Sequence, residues 1–123
     1  IDHFKQFNDT HGHEAGDRVL QEVTAAVAGN LRDTDHLGRW GGEEFLVLVT
    51  NSDLDNSARL AERLRQAVQA LDLGELGSVT ASFGVAGFRD DDSRRSLVKR
   101  ADLAMYRAKE AGRNRVVVET DVP

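Results

Sequence analysis

The stretch R-W-G-G-E-E-F-L-V-L-V, from Arg39 to Val49, sets two glycines and two glutamates directly before an apolar run. Glycine tolerates the positive φ that tight turns need, so the stretch predicts a β-hairpin that turns at Gly41-Gly42. Phe45 to Val49 is apolar at every position, which predicts a central strand covered on both faces. Successive strand residues point to opposite faces, so only one of Glu43 and Glu44 should face a site at the turn.

The segments around this hairpin alternate between helical and strand periodicity. Apolar residues at helical spacing predict three helices, and two further segments have the pattern of strands. The helices are expected at residues 14–31, from Asp53 to the break at residues 74–77, and from Leu97 to Ala108 with Gly112 as the C-cap; the strands are expected at residues 79–85 and 116–118. This order predicts an α/β (α+β) sandwich with helices flanking a mainly antiparallel central sheet, which a first strand ahead of Ile1 would complete.

Composition limits the classes of protein to consider. With 123 residues and a formal net charge of -5, the chain is expected to form one domain without non-specific affinity for nucleic acid, which would need an excess of Lys and Arg. It contains 0 Cys, and no run of residues has the length and hydropathy of a membrane segment. We therefore expect a cytoplasmic protein without disulfides or thiolate metal sites.

A Gly-Gly turn beside carboxylates could bind phosphate together with Mg²⁺. The glycines let a ligand approach the N–H groups of the turn, and Mg²⁺ prefers carboxylate and phosphate oxygens. The alternative is an ordinary hairpin with solvated glutamates, which the spacing alone favours. Other polar residues have the same two interpretations, since they could contact a nucleotide or form local turns, helix-terminus contacts and surface ion pairs. These residues are Lys5, Asn8, His13, Asp17, Arg32, Asp35, Lys109 and Arg113.

Taken together, four ordered motifs resemble the GGDEF family of diguanylate cyclase domains over essentially the whole chain. The motifs are I-D-H-F-K-Q-F-N-D-T-H-G-H-E-A-G-D (residues 1–17), R-W-G-G-E-E-F (39–45), S-F-G-V-A (82–86) and A-D-L-A-M-Y-R-A-K-E-A-G-R-N-R (101–115). The signature reads G-G-E-E-F here, a variation common in active members of the family. The resemblance implies a ferredoxin-type fold similar to class III nucleotide cyclases and polymerase palm domains.

The resemblance also implies an activity and a set of site residues. Two GTP molecules would be condensed into cyclic di-GMP, a bacterial second messenger, with release of pyrophosphate. Mg²⁺ or Mn²⁺ would assist attack of a ribose 3′-hydroxyl on an α-phosphate across a head-to-head homodimer. Glu43 would be the catalytic and metal-binding acid, and the carbonyl of Ile1 would also contact the metal. The guanine would meet Asn8, His13, Asp17 and Leu20, the nucleotide would pass close to Gly41 and Gly42, and the triphosphate would meet Lys5, Lys109 and Arg113.

A second site is implied by the motif R-D-T-D, from Arg32 to Asp35. It resembles the family's R-x-x-D inhibitory site, with Arg63 as a supporting arginine, and guanidinium groups suit bidentate contact with phosphate or guanine. Cyclic di-GMP bound there would inhibit the enzyme by restraining dimerisation. The family pattern also places a second metal carboxylate just before Ile1. We therefore expect residues 1–123 to form an N-terminally truncated domain, impaired in metal binding on its own, from a protein with an upstream sensory or dimerising domain.

Two other functions are compatible with these motifs. The chain could be a non-catalytic receptor that binds cyclic di-GMP through Arg32, Asp35 and Arg63. It could also be an interaction module with a vestigial site, which would bind no GTP. The intact signature around Glu43 favours the enzyme.

Overall fold

The computed structural model of the chain describes residues 1–119 and contains four α-helices and four short strands within them. In chain order the elements are α1 (Phe4–His11), α2 (His13–Ala28), β1 (His36–Gly41), β2 (Glu44–Leu48), α3 (Leu54–Gln69), a 3-10 turn (Gly74–Leu76), β3 (Phe83–Val85), α4 (Arg94–Glu110) and β4 (Val116–Val118). The predicted mixture of helices and strands is confirmed. No helix in this part of the chain is long and apolar enough to cross a membrane.

The strands form two pairs with opposite senses. β1 and β2 make the predicted antiparallel hairpin, with Leu37 opposite Val47, whereas β3 and β4 pair in parallel, with Phe83 opposite Val116. Helix α4 lies directly against β3, because a side chain at Gly84 would come within 2.1 Å of the Ala101 carbonyl. The lack of a side chain at this glycine therefore permits the close approach of helix and strand.

The core lies between the helices and the inner face of the hairpin. Val19, Val68 and Leu73 are the largest fully buried side chains. Phe45 and Val47 pack against this core from β2, in accord with their alternate positions on the strand. Burying apolar area of this kind is the main favourable contribution to folding, and it fixes α2 relative to the hairpin.

Two predictions about β2 and its turn need correction. The turn residues are Gly42 and Glu43, with Gly41 paired to Glu44, because a bulge between Arg39 and Gly41 shifts the register by one residue. The strand is also not covered on both faces. Leu48 is 52% exposed, since only the face that carries Phe45 and Val47 packs on the core.

The other predicted elements differ mainly at their ends. Asp53 is the N-cap of α3, where its side chain accepts a hydrogen bond from the Asn56 N–H at 2.7 Å. The C-cap of α4 is Ala111 and not Gly112, which follows it. Of the strand predicted at residues 79–85, only Phe83–Val85 pairs as a strand.

Candidate active site

The turn of the hairpin is fixed by an arginine of its own strand. Arg39 donates hydrogen bonds from Nε and Nη2 to the Gly42 carbonyl, at 2.9 and 2.6 Å. Gly42 has φ +36°, and a side chain added at Gly41 or Gly42 would meet no atom within 4 Å. The glycines therefore leave open space at the turn, and the half-buried Glu43 lies beside that space.

Ile1 lies next to this turn. Its amino group donates to the Glu43 carbonyl at 3.2 Å. The structure thus brings Ile1 beside Glu43, which comes from a separate part of the sequence. Lys109 lies in the last turn of α4.

Asp2 is a buried residue for which the motifs predicted no role. It is 7% exposed, and its carboxylate accepts hydrogen bonds from Thr80 Oγ1 at 2.7 Å, Ser82 Oγ at 2.6 Å and the Asn114 N–H at 3.0 Å. Thr80 and Ser82, two small polar residues at alternate positions of an otherwise apolar segment, are the feature of the sequence that could have indicated a buried polar partner. Asp2 therefore joins the start of α1 to the segment before β3 and to the loop after α4.

The junction of α1 and α2 contains an unsatisfied polar atom. Asn8 Oδ1 is buried and has no hydrogen-bond partner among residues 1–119. A side chain at Gly16 would come within 1.7 Å of this oxygen, so the glycine makes room for Asn8 against α2. Asp17, the residue after Gly16, is exposed, so both predicted guanine-binding residues lie at this junction. Buried polar atoms in proteins are rarely left unpaired, so Asn8 Oδ1 is a candidate ligand-binding atom.

The remaining predicted substrate residues come from α1, α2 and the loop after α4. A groove of about 350 Å³ runs between α2 and the hairpin and is lined by Leu20, Arg39 and Phe45 among others. Lys5 is exposed on α1, and His13 is exposed at the first position of α2. Arg113 is half-buried in the loop after α4, with φ +66°, next to the Asn114 that bonds Asp2.

The predicted inhibitory motif forms an internal ion pair. Arg32 donates from Nη2 to Asp35 Oδ1 at 3.0 Å and from Nε to Asp35 Oδ2 at 3.3 Å, and its backbone N–H donates to Oδ2 at 2.9 Å. These hydrogen bonds lower the pKa of Asp35. Arg32 Nη2 also donates to the Thr50 carbonyl at 2.5 Å, and no group among residues 1–119 accepts from Nη1. The Arg32 side chain is 53% exposed, so the Nη1 edge can contact a ligand. Arg63 is exposed on α3, and among residues 1–119 it forms no hydrogen bond or ion pair with Arg32 or Asp35.

A metal would find a small, oxygen-only donor set here. No group of three or more His, Cys, Asp or Glu residues is gathered in a metal-binding arrangement within residues 1–119. Glu43 and the Ile1 carbonyl are nevertheless hard oxygen donors beside open space. Mg²⁺ is commonly held by one or two carboxylates together with substrate phosphates, so these residues fit a metal that arrives with a nucleotide.

Comparisons with known proteins identify the family. Residues 1–115 match the family model described as diguanylate cyclase, GGDEF domain. The chain is 44% identical over 121 residues to diguanylate cyclase DgcP of Pseudomonas aeruginosa, covering 96% of this chain and 18% of that protein. It is therefore similar to a small part of a much longer relative.

Two solved structures have the same fold. The GGDEF domain of DgcB from Caulobacter crescentus, in complex with c-di-GMP, has a TM-score of 0.92 at 35% identity, covering 98% of this chain and 74% of that one. The active GGEEF domain of a diguanylate cyclase from Vibrio cholerae has a TM-score of 0.90 at 33% identity, covering 97% of this chain and 78% of that one.

These findings define the class of protein first. The helices and strands form the palm-like α/β fold of nucleotide cyclases, as the sequence predicted. The chain belongs to the GGDEF domain family of diguanylate cyclases.

Proposed function

We propose that this chain is the catalytic domain of a diguanylate cyclase, which condenses two GTP molecules into cyclic di-GMP and two pyrophosphates. One observation carries the proposal: the hairpin turn places Glu43 beside open space and next to Ile1, the other predicted metal contact. A carboxylate there can accept a proton from a hydroxyl and can bind a metal ion that neutralises phosphate charge.

Asn8, Asp17 and Leu20 are proposed to select guanine. A carboxylate at Asp17 can accept from both the N1–H and the amino group of guanine, whereas adenine offers no donor at N1. The unpaired Asn8 Oδ1 has room for one further donor, and Leu20 supplies an apolar surface for the base. His13 lies at the start of α2, one helical turn before Asp17.

The triphosphate is proposed to bind between the hairpin and the end of α4. Gly41 and Gly42 let it approach the turn, and Lys5, Lys109 and Arg113 supply positive charge. Glu43 and the Ile1 carbonyl would hold Mg²⁺ or Mn²⁺, which would neutralise phosphate charge and lower the pKa of the 3′-hydroxyl. Cations around a transferring phosphoryl group stabilise its transition state by electrostatics alone.

The reaction requires two copies of the chain, because each proposed site accommodates one GTP. The 3′-oxygen of one nucleotide attacks the α-phosphorus of the nucleotide on the partner subunit. A new O3′–P bond forms, the bond to pyrophosphate breaks, and Glu43 accepts the hydroxyl proton. Two such transfers close the ring, so the competent form is a symmetric homodimer. Since the chain spans 18% of the relative DgcP, we propose that regions elsewhere in the protein control this dimerisation.

Product inhibition is proposed at Arg32 and Asp35, supported by Arg63. The Asp35 carboxylate already orients the Arg32 guanidinium and leaves the Nη1 edge available. A preorganised guanidinium loses little freedom when it binds phosphate or guanine. The same pair favours a second candidate function, a receptor that binds cyclic di-GMP without making it.

The test is GTP turnover by the full-length protein that carries this chain, with Glu43→Ala compared to Glu75→Ala. Glu75 is exposed in the 3-10 turn and controls for the loss of one carboxylate. We expect Glu43→Ala to lower the rate by at least about 100-fold and Glu75→Ala to leave it unchanged. Equal rates in the two variants would contradict the role of Glu43. Binding of cyclic di-GMP by a wild-type protein that makes none would establish the receptor instead.

A further inference from the structure

The loop after α4 has an unusual backbone. Gly112, Arg113 and Asn114 have φ of +119°, +66° and +47° in succession. Residues other than glycine rarely adopt positive φ, and such strained conformations persist only where the surrounding structure imposes them. The direction in which Arg113 projects therefore depends on the contacts that hold this loop.

Two of these contacts meet at Asn114, one through its backbone and one through its side chain. The backbone N–H donates to Asp2 Oδ2 at 3.0 Å, and the side-chain Oδ1 accepts from Arg65 Nη1 at 2.9 Å. The backbone of Arg113 makes two hydrogen bonds: its N–H donates to the Ala108 carbonyl at 3.0 Å, and its carbonyl accepts from Arg115 Nε at 3.0 Å. Arg65 lies on α3, so its bond to Asn114 joins that helix to the loop.

The Arg65 guanidinium is held in position for this contact by side chains of its own helix. Glu62 accepts from its Nε at 2.8 Å and from its Nη2 at 2.5 Å, and Gln69 accepts from its Nη1 at 2.9 Å. The Arg65 side chain is 17% exposed. Because Glu62 and Gln69 lie on the same face of α3 at helical spacing, they fix the guanidinium before it meets the loop.

We infer that Arg65 is a positioning residue that acts through Asn114 to aim Arg113 at the substrate triphosphate. This inference rests on the proposed function. Removal of Arg65 leaves the Asn114 backbone bond to Asp2 and the Arg113 backbone bond to Ala108 in place. The loop stays attached to the domain, but Arg113 can then occupy more positions. We therefore expect Arg65→Ala to lower GTP affinity more than it lowers the free energy of unfolding.

The direct measurement is a Kd by calorimetry on the full-length protein with Mg²⁺, for a GTP analogue in which a methylene group replaces the α,β-bridging oxygen, so that pyrophosphate cannot be released during the titration. We expect Arg65→Ala to weaken binding by about tenfold, because a charge-assisted phosphate contact is misplaced. Arg59→Ala is the matched control, since Arg59 is an exposed arginine on the same helix. Arg65→Lys should restore part of the affinity, because an ammonium group can still donate to Asn114 Oδ1.

A double-mutant cycle separates positioning from general destabilisation. If Arg65 acts through Arg113, then Arg65→Ala added to Arg113→Ala should weaken GTP binding no further. Asn114→Gly is a second variant that tests the same bond if Arg65→Ala fails to fold. Glycine accepts the positive φ at this position, and the substitution removes the side-chain oxygen that Arg65 contacts. Its expected loss is also about tenfold.

Either of two outcomes would overturn the inference. One is a Kd in Arg65→Ala equal to that in Arg59→Ala. The other is a double variant, Arg65→Ala with Arg113→Ala, whose loss of affinity equals the sum of the two single losses. GTP binding with the expected variant effects but without cyclic di-GMP formation would contradict the proposed function and leave this inference standing. Absence of GTP binding in the wild-type protein would contradict both.

Discussion

Replacing Asp2 by alanine should destabilise the fold strongly, because its carboxylate is buried and fully engaged. Three donors lose their acceptor, namely Thr80 Oγ1, Ser82 Oγ and the Asn114 N–H. Hydrogen bonds to a charged group contribute about 1.5 kcal/mol or more each, and the desolvation of the carboxylate offsets part of the sum. We expect a net loss of about 3 kcal/mol in the free energy of unfolding, or about 10 °C in Tm.

The pH dependence gives a second and independent signature of Asp2. Burial alone would raise the pKa of its carboxyl group, but the hydrogen bonds from Ser82, Thr80 and the Asn114 backbone outweigh burial and lower it. A lowered pKa in the folded state means that the charge-dependent stability is complete above the unfolded pKa, which is about 3.9. This stability is lost as the pH falls through the lower folded pKa. The stability gap between wild type and Asp2→Asn should therefore be constant near neutral pH and shrink below about pH 4.

Urea denaturation followed by circular dichroism, repeated from neutral to acid pH, measures both effects. Asp9→Asn is the control, since Asp9 is an exposed acid on α1. Two results would refute the reasoning about Asp2. One is an Asp2→Asn variant as stable as Asp9→Asn at neutral pH, and the other is a gap to wild type that widens on acidification.

Three further substitutions test other parts of the site. Gly16→Ala places a methyl group within 1.7 Å of Asn8 Oδ1, so it should displace Asn8, lower the free energy of unfolding by about 2 kcal/mol in thermal melts and weaken GTP binding in calorimetry. Arg32→Ala should abolish inhibition by added cyclic di-GMP in a steady-state assay while the uninhibited rate of cyclic di-GMP synthesis is retained. Arg39→Ala removes both bonds to the Gly42 carbonyl and should lower kcat with little change in Tm, because the turn is exposed.

Each of these predictions has an outcome that would contradict it. Unchanged GTP affinity in Gly16→Ala would mean that Asn8 does not contact the nucleotide. Undiminished inhibition in Arg32→Ala would place the product site elsewhere. A large fall in Tm for Arg39→Ala would show that this arginine supports the fold and not only the turn.

Local patterns in the sequence were sufficient for most elements of the fold. The helices α2, α3 and α4 and the hairpin follow from periodicity within their own residues, which needs no knowledge of distant contacts. Register was harder to predict. The bulge between Arg39 and Gly41 adds a residue to one strand, so Glu43 lies in the turn and not on the strand. Strand alternation therefore does not apply to Glu43 and Glu44, and the prediction that only one of them faces a site stays a prediction.

The least predictable features are those that depend on distant residues. The alternation of Val79, Thr80, Ala81 and Ser82 predicted a strand, yet the hydroxyls at 80 and 82 bond the Asp2 carboxylate and strand pairing begins at Phe83. No short-range pattern relates residue 2 to residue 80. The resemblance supplied candidate ligands for the nucleotide, but Arg65, which bonds the Asn114 side chain next to Arg113, lies outside all four motifs. Gly16 lies within the first motif, yet nothing in that motif predicted that it makes room for Asn8.

The contacts of Asp2 also bear on how the domain is assembled. Asp2 and Asn114 are 112 residues apart in sequence, yet they are hydrogen bonded beside the site. Closing so long a loop costs chain entropy and is slow relative to local helix formation. During synthesis, this hydrogen bond can form only after residue 114 has left the ribosome. The loop after α4, which carries Arg113, is therefore among the last of the described segments to take its final conformation, well after α1 and α2 can form from their own residues.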